Sequence, residues 1–483
     1  MIKYLFLFLP VVAFAQDYPA STFGIRSDGI TLNTRSIQYA VDYIHDHGGG
    51  RLVFEVGRYL TGSIHLRSNV GFELREGAVL LGSLNPFDYD KEGFTALLLA
   101  DKQQHILISG KGIIDGQGRQ VAANIVALVH SGIIKDPLTS DRPNEGNRPM
   151  LIYFRGCSDV TLQHITLRNA ASWVETYDQC FHLTIDSIRV DSKAFWNNDG
   201  IDIVDCGQVV VTGCFVDVAD DGICLKSHDP AAACTDVLIR DCTIRSSANA
   251  IKFGTVSRGG FRHIRIIHNK VYDTYRSALA LEAVDGGTIE DVIADSLDAV
   301  NTGNALFLRV GARSGGARKS SLSGVTVRHL TVQIPAGKPD SGYEYEGPVQ
   351  DEPRNVSPIV LVGLPDACLR DVRLSEVVIR YPGGGNPYLA NRSLAELDSI
   401  PELPASYPDF SMFKELPAWG LYARHVRGLQ VSGLSFLCAA KDYRTAIVLD
   451  DVQDAAFEHT VVKEPGSKKP FFLHASSGVL IKK

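Results

Sequence analysis

The chain contains no CxxC pair, no Cys/His spacing suited to a metal and no run of basic residues. Beyond its first fifteen residues it also lacks any uninterrupted apolar stretch of about 18 residues, the length that reads as a membrane-spanning helix. Lys and Arg number 48 against 55 Asp and Glu, and the net charge is −7. The cations are scattered, so no basic stripe is offered to a phosphate backbone, which argues against nucleic acid as a partner. Hydrophobic residues make up 45% and charged residues 21%, a composition that excludes disordered and fibrous classes and permits a large core.

The first residues, MIKYLFLFLPVVAFAQ, read as a secretory signal peptide. Lys3 is the basic region, Tyr4 to Val12 the apolar run, and Ala13-Phe14-Ala15 a small-x-small site with cleavage expected after Ala15. The mature chain, 16–483, is expected as one domain, exported to the periplasm or medium, not membrane-bound and monomeric. Export permits disulfides, yet the nine cysteines have no framework spacing. Cys180, Cys206 and Cys234 lie 26 and 28 apart, and Cys214 and Cys242 lie 28 apart. Such intervals describe a structural repeat, so most are expected as stacked, reduced core residues, with at most one bridge.

From Cys157 onward one phrase recurs: CSDVTLQHITLRN, CFHLTIDSIRVDS, CGQVVVTGCFVDV, CTDVLIRDCTIRS, FRHIRIIHNKVYD and EDVIADSLDAVNT. Each is a β-branched run, a polar break and a second run. With Val160, Leu183, Val209, Val237, Ile264 and Val292 taken as equivalent, the steps are 23, 26, 28, 27 and 28. A strand-only period of that size indicates a solenoid, continued at Val325, Val372 and Leu429 with loop insertions near 335–360 and 382–420. A β-sandwich also uses short, evenly spaced strands, but it does not explain like residues at matching places. The fold expected is an all-β parallel β-helix with a short N-terminal cap.

A second column carries the chemistry. Ile201, Ile223, Ile251, Leu279 and Leu306 should point inward, so strand alternation turns Asp202, Cys224, Lys226, Lys252, Ala280, Glu282, Phe307 and Arg309 outward onto one continuous face. At its head Asp199, Asp220 and Asp221 come together. Three close carboxylates raise one another's pKa, and such a cluster can supply one protonated acid and one ionised base, the pair that glycoside hydrolysis needs. Asp-Gly pairs also serve as turns with glycine at positive φ, and the same carboxylates suit calcium.

At this point the sequence resembles glycoside hydrolase family 28, the polygalacturonase family of right-handed parallel β-helices. The likeness begins with TFGIRSDGITLNTRSIQYAVDYI, the GGGRLVFEVGRYLTGSIHL phrase and GIIDGQG, and becomes specific at Asn197-Asn198-Asp199 and Asp220-Asp221, which look like the family's Asn-Thr-Asp and Asp-Asp motifs. The resemblance implies Asp220 as general acid, with Asp199 and Asp221 holding and deprotonating water, and inversion. Carboxylates about 5 Å apart normally signal retention instead, and wider pairs, about 6.5–9.5 Å, admit the water. Two family motifs are missing: Ala248-Asn249-Ala250 replaces Gly-His-Gly, and Ala280-Leu281-Glu282 replaces Arg-Ile-Lys. The resemblance thus carries fold and reaction type, while a uronate beside Glu282 would be repelled.

Lys226, Asn249, Lys252, Glu282, Arg309 and Trp173 are the expected substrate-binding residues, with Arg309 alternatively only neutralising Glu282. Glu175, Tyr177 and His228 are weaker candidates. The insertion PGGGNPYLANRSLAELDSIPELPASYPDFSMF is expected to wall one end of the groove, which points to exo-action. The function expected is hydrolysis of a plant-type, pectic polysaccharide or oligosaccharide, with no cofactor and no metal. A calcium-dependent polysaccharide lyase on the same fold, with a base such as Lys252, and a non-catalytic carbohydrate-binding β-helix are the alternatives.

Overall fold

A short β-branched run with one apolar face cannot bury itself alone, so each run must stack on its copy in the next turn of the chain. The computed structural model, which describes residues 16–137, 142–315, 318–339, 355–466 and 469–482, has this architecture. The expected leader, 1–15, and the 340–354 part of the first insertion lie outside the described residues. Val160, Leu183, Val209, Val237, Ile264, Val292, Val325, Val372 and Leu429 pair in one parallel register. All nine are buried in one core that runs along the axis. Each such side chain contributes about 1.5–3 kcal/mol by leaving water. At the N-terminal end the helix Thr34–Asp46 buries Ile37, Ala40, Val41 and Ile44, a helical stripe that covers the first rung.

The polar breaks are the corners of the coil. The residue before each of those nine inward positions has a left-handed backbone: Asp159, His182, Gln208, Asp236, His263, Asp291, Gly324, Asp371 and Gly428. A second corner column runs through His164, Ser187, Gly213, Asp241, His268, Ser296, His329, Glu376 and Gly433. β-branched residues cannot adopt this conformation cheaply, whereas glycine and short polar residues can. The alternation of runs and breaks therefore encodes the turns as well as the strands.

The Asp-Gly pairs are not positive-φ turns, the alternative their sequence also allowed. Gly200 and Gly222 are not among the positive-φ glycines. Instead, a Cβ on Gly200 would stand 2.4 Å from the Gly222 carbonyl oxygen, and one on Gly222 would stand 2.6 Å from that of Ala250. Glycine is required there by the close approach of stacked backbones, and this sets Asp199 and Asp221 at the same height on successive rungs.

The nine cysteines are free thiols, all buried except the half-buried Cys368. A thiol reagent should label Cys368 alone in the native protein and the full set after unfolding. A Cys206–Cys234 disulfide found by mass spectrometry would contradict this packing.

Candidate active site

The strands Ile201–Val204, Ile223–Ser227 and Ile251–Ser257 lie side by side, with Ile201, Ile223 and Ile251 in one register and in the core. Alternation then sends Asp202, Cys224 and Lys252 to the other side, where Asp199, Asp220 and Asp221 head the strands. The three head carboxylates present oxygens within 4.8 Å of one another.

Their surroundings separate them. Asp221 Oδ1 accepts from the backbone N–H of Asn249 at 3.0 Å and from its side-chain amide at 2.8 Å, while Lys252 Nζ donates to Oδ2 at 3.0 Å. Burial alone would raise the Asp221 pKa, but Lys252, Arg276 and Asn249 outweigh it and hold the carboxyl below its ordinary value. Asp199 Oδ2 accepts from Lys226 Nζ at 3.0 Å, and the same ammonium also donates to Asp202. Burial and the Asp221 charge still leave Asp199 raised. The side chain of Asp220, the least buried of the three, accepts the Asp221 backbone N–H at 2.9 Å and no other hydrogen bond from the described residues. Withdrawal from bulk water, then the Asp199 and Asp221 charges, push it up to about 8.

The structure brings Lys226 and Trp173 together, the ammonium lying 4.0 Å from the ring centre, and Phe94 stacks on the indole. Four other expectations are corrected. Asn249 is buried and spends its amide on Asp221 and its carbonyl on the Ser277 N–H, so it holds the Asp221 carboxylate in place. Glu282 is buried, 4.0 Å from Lys252 Nζ, with a carboxyl pushed by burial up to about 8. Arg309 is not open on the outer face, and among the described residues it forms no ion pair with Glu282. Fully buried, it donates to the carbonyls of Gly363, Glu402 and Leu403. Glu175 and Tyr177 point into the core, in register with Ile201 and Ile203, and the Tyr177 hydroxyl donates to Glu175 at 2.6 Å.

The outer face is not continuous either. Beyond Lys252, Leu397, Ile400, Phe410, Phe413 and Leu416 of the second insertion pack over Ala280, Phe307, Val360 and Val362. This is the expected wall, and it brings residues that local sequence reading missed. The Tyr407 hydroxyl accepts from Lys252 Nζ at 2.9 Å, and Asp409 forms a 2.9 Å ion pair with Arg276. The charges of Asp220 and Asp221 also act on Arg276. Arg276 had a signal: it stands in the column of Asn198, Asp220 and Ala248. Tyr407 and Asp409 had none, being far away in an aperiodic loop.

A divalent ion at the carboxylates would have to displace Lys226 and Lys252, two tethered cations already held by Asp199, Asp202 and Asp221. The donor set thus suits ammonium pairing better than calcium, which prefers six to eight free oxygens. Among the described residues, no helix is long and apolar enough to cross a membrane.

Residues 57–231, which include the three carboxylates, match the model for glycosyl hydrolases family 28. A probable polygalacturonase from Vitis vinifera is 25% identical over 64% of this chain and 60% of its own, so the chain spans less than two thirds of that relative. A Parabacteroides merdae protein of known structure, described as a candidate glycosyl hydrolase, is 40% identical over 47% of this chain and 95% of its own, with a TM-score of 0.42. The family 28 exopolygalacturonase of Yersinia enterocolitica shares the fold, with 19% identity, 96% and 78% coverage and a TM-score of 0.66. The fold is the right-handed parallel β-helix, and the segment 57–231, which carries the three carboxylates, is similar to glycosyl hydrolases family 28.

Proposed function

We propose that the protein is a secreted hydrolase that cleaves a glycosidic bond of a pectic polysaccharide or oligosaccharide by acid–base catalysis, with inversion and from a chain end. The observation that carries this reading is the split among three adjacent carboxylates. Asp220 holds its proton up to about pH 8 and is the least buried of the three, as suits a general acid. Asp199 and Asp221 would hold the water between them, with Asp199, the more basic, taking its proton. The nearest oxygens, within 4.8 Å, match the spacing usual for retention. Inversion is favoured because both Asp221 oxygens and one of Asp199 already accept from Asn249, Lys252 and Lys226, which ties up the lone pairs a nucleophile would use. The wall over Ala280 and Phe307 supports action at a chain end. Proton NMR of the first product tests the stereochemistry. The anomer opposite to the substrate's is expected, and the same anomer would contradict the assignment.

The pH profile follows from the same groups. The acid must be protonated, so kcat/KM should fall as pH rises through about 8; the base must be ionised, so kcat/KM should also fall in acid. A profile still rising above about pH 9 would remove Asp220 from the acid role.

A further inference from the structure

The cations at the walled end of the groove are already engaged. Lys252 Nζ lies 3.0 Å from Asp221, 2.9 Å from the Tyr407 hydroxyl and 4.0 Å from Glu282. Arg276 lies 2.9 Å from Asp409, and Arg313, 5.7 Å from the Tyr407 ring, is paired with Asp285 at 3.2 Å. Lys226 is shared by Asp199 and Asp202. Each of these four cations therefore has a protein carboxylate beside it. A ligand carboxylate arriving here would meet Asp220, Asp221 and Asp409 before any unclaimed positive charge. Arg142 is held away from Tyr407 by other partners, donating to Asn197 and stacking on Trp196. What the walled end does present is Tyr407, 52% exposed, its ring above Lys252 and its hydroxyl anchored. An aromatic face fixed at one edge is a platform for the apolar face of an uncharged pyranose.

We propose that the sugar seated against Tyr407 carries no carboxylate, and that Tyr407 and Asp409 set this preference by stacking on the ring and by claiming Arg276. The inference rests on the hydrolase reading and names the substrate class of the same site. Like charges brought together at a partly desolvated site disfavour the wrong ligand strongly, whereas neutral hydroxyls can donate to the same carboxylates.

The test is calorimetric binding to the hydrolysis-blocked Asp220→Asn protein with three probes. They are trigalacturonate, its methyl ester, and a rhamnogalacturonan oligosaccharide ending in neutral rhamnose. At least one of the latter two should bind about 10-fold or more tightly than trigalacturonate. Adding Asp409→Asn, which keeps the cap on Ser411 but frees Arg276, should shift the ratio back toward trigalacturonate by about 10-fold. Tighter binding of trigalacturonate than of both neutral-ended probes, or no shift with Asp409→Asn, overturns the proposal and leaves the hydrolase reading standing. No binding of any probe overturns the pectic reading and the proposal with it.

Discussion

Asp220→Asn is expected to lower turnover of an unactivated substrate by at least about 10²-fold while the protein stays folded, because general acids contribute on that scale. Among the described residues the native side chain accepts the Asp221 N–H alone, and an Asn carbonyl oxygen can accept it equally. What the substitution removes is the proton that stays on the group up to about pH 8. Two further readings check that the loss is chemical. Circular dichroism and thermal unfolding should match the parent, and the alkaline fall in kcat/KM should vanish from any residual activity. Near-normal turnover by the variant would mean that the leaving oxygen receives its proton from elsewhere.

Lys226→Met should have the second largest effect, on stability and activity together. The ammonium is buried, bound to Asp199 and Asp202 and lying over Trp173. Met preserves the stem and its packing but leaves two buried carboxylates without their cation. Breaking a buried pair from one side costs about 3–5 kcal/mol, to be read from urea unfolding. The carboxylates relieve part of that cost by taking protons, and this fixes the sign of the kinetic effect. Lys226 lowers the Asp199 pKa. Without it the base is protonated to higher pH, so the acid limb of kcat/KM should move alkaline by about one unit or more. An acid limb unmoved in a folded variant would show that Asp199 is not the group that titrates there.

Much of the architecture was legible because a solenoid repeats its physics on every rung. The Val160 to Leu429 column could be read from β-branched runs, and the breaks coincide with residues such as Asp159, His182 and Asp236 that tolerate a left-handed backbone. The three aspartates were legible for the same reason, since Asp199 and Asp220 are separated by one rung. Glu175 was legible too, and misread: it pairs with Ile201, so its parity places it inside. The role of Arg309 was not legible. Its partners Glu402 and Leu403 lie more than ninety residues on, in a loop without periodicity, and nothing local marks a guanidinium as the anchor of a wall. The same holds for Tyr407 and Asp409. Alternation says which side chains leave the barrel, and only tertiary packing says which of them remain open to a ligand.

The central claim is that the carboxylates hydrolyse a pectic glycoside. Product analysis on a panel of pectic oligosaccharides in ¹⁸O-labelled water, with and without chelator, tests it most directly. The account predicts saturated products, one solvent oxygen at each new reducing end, and a rate the chelator does not change. Unsaturated products that disappear with chelator, or binding with no product at all, would contradict it.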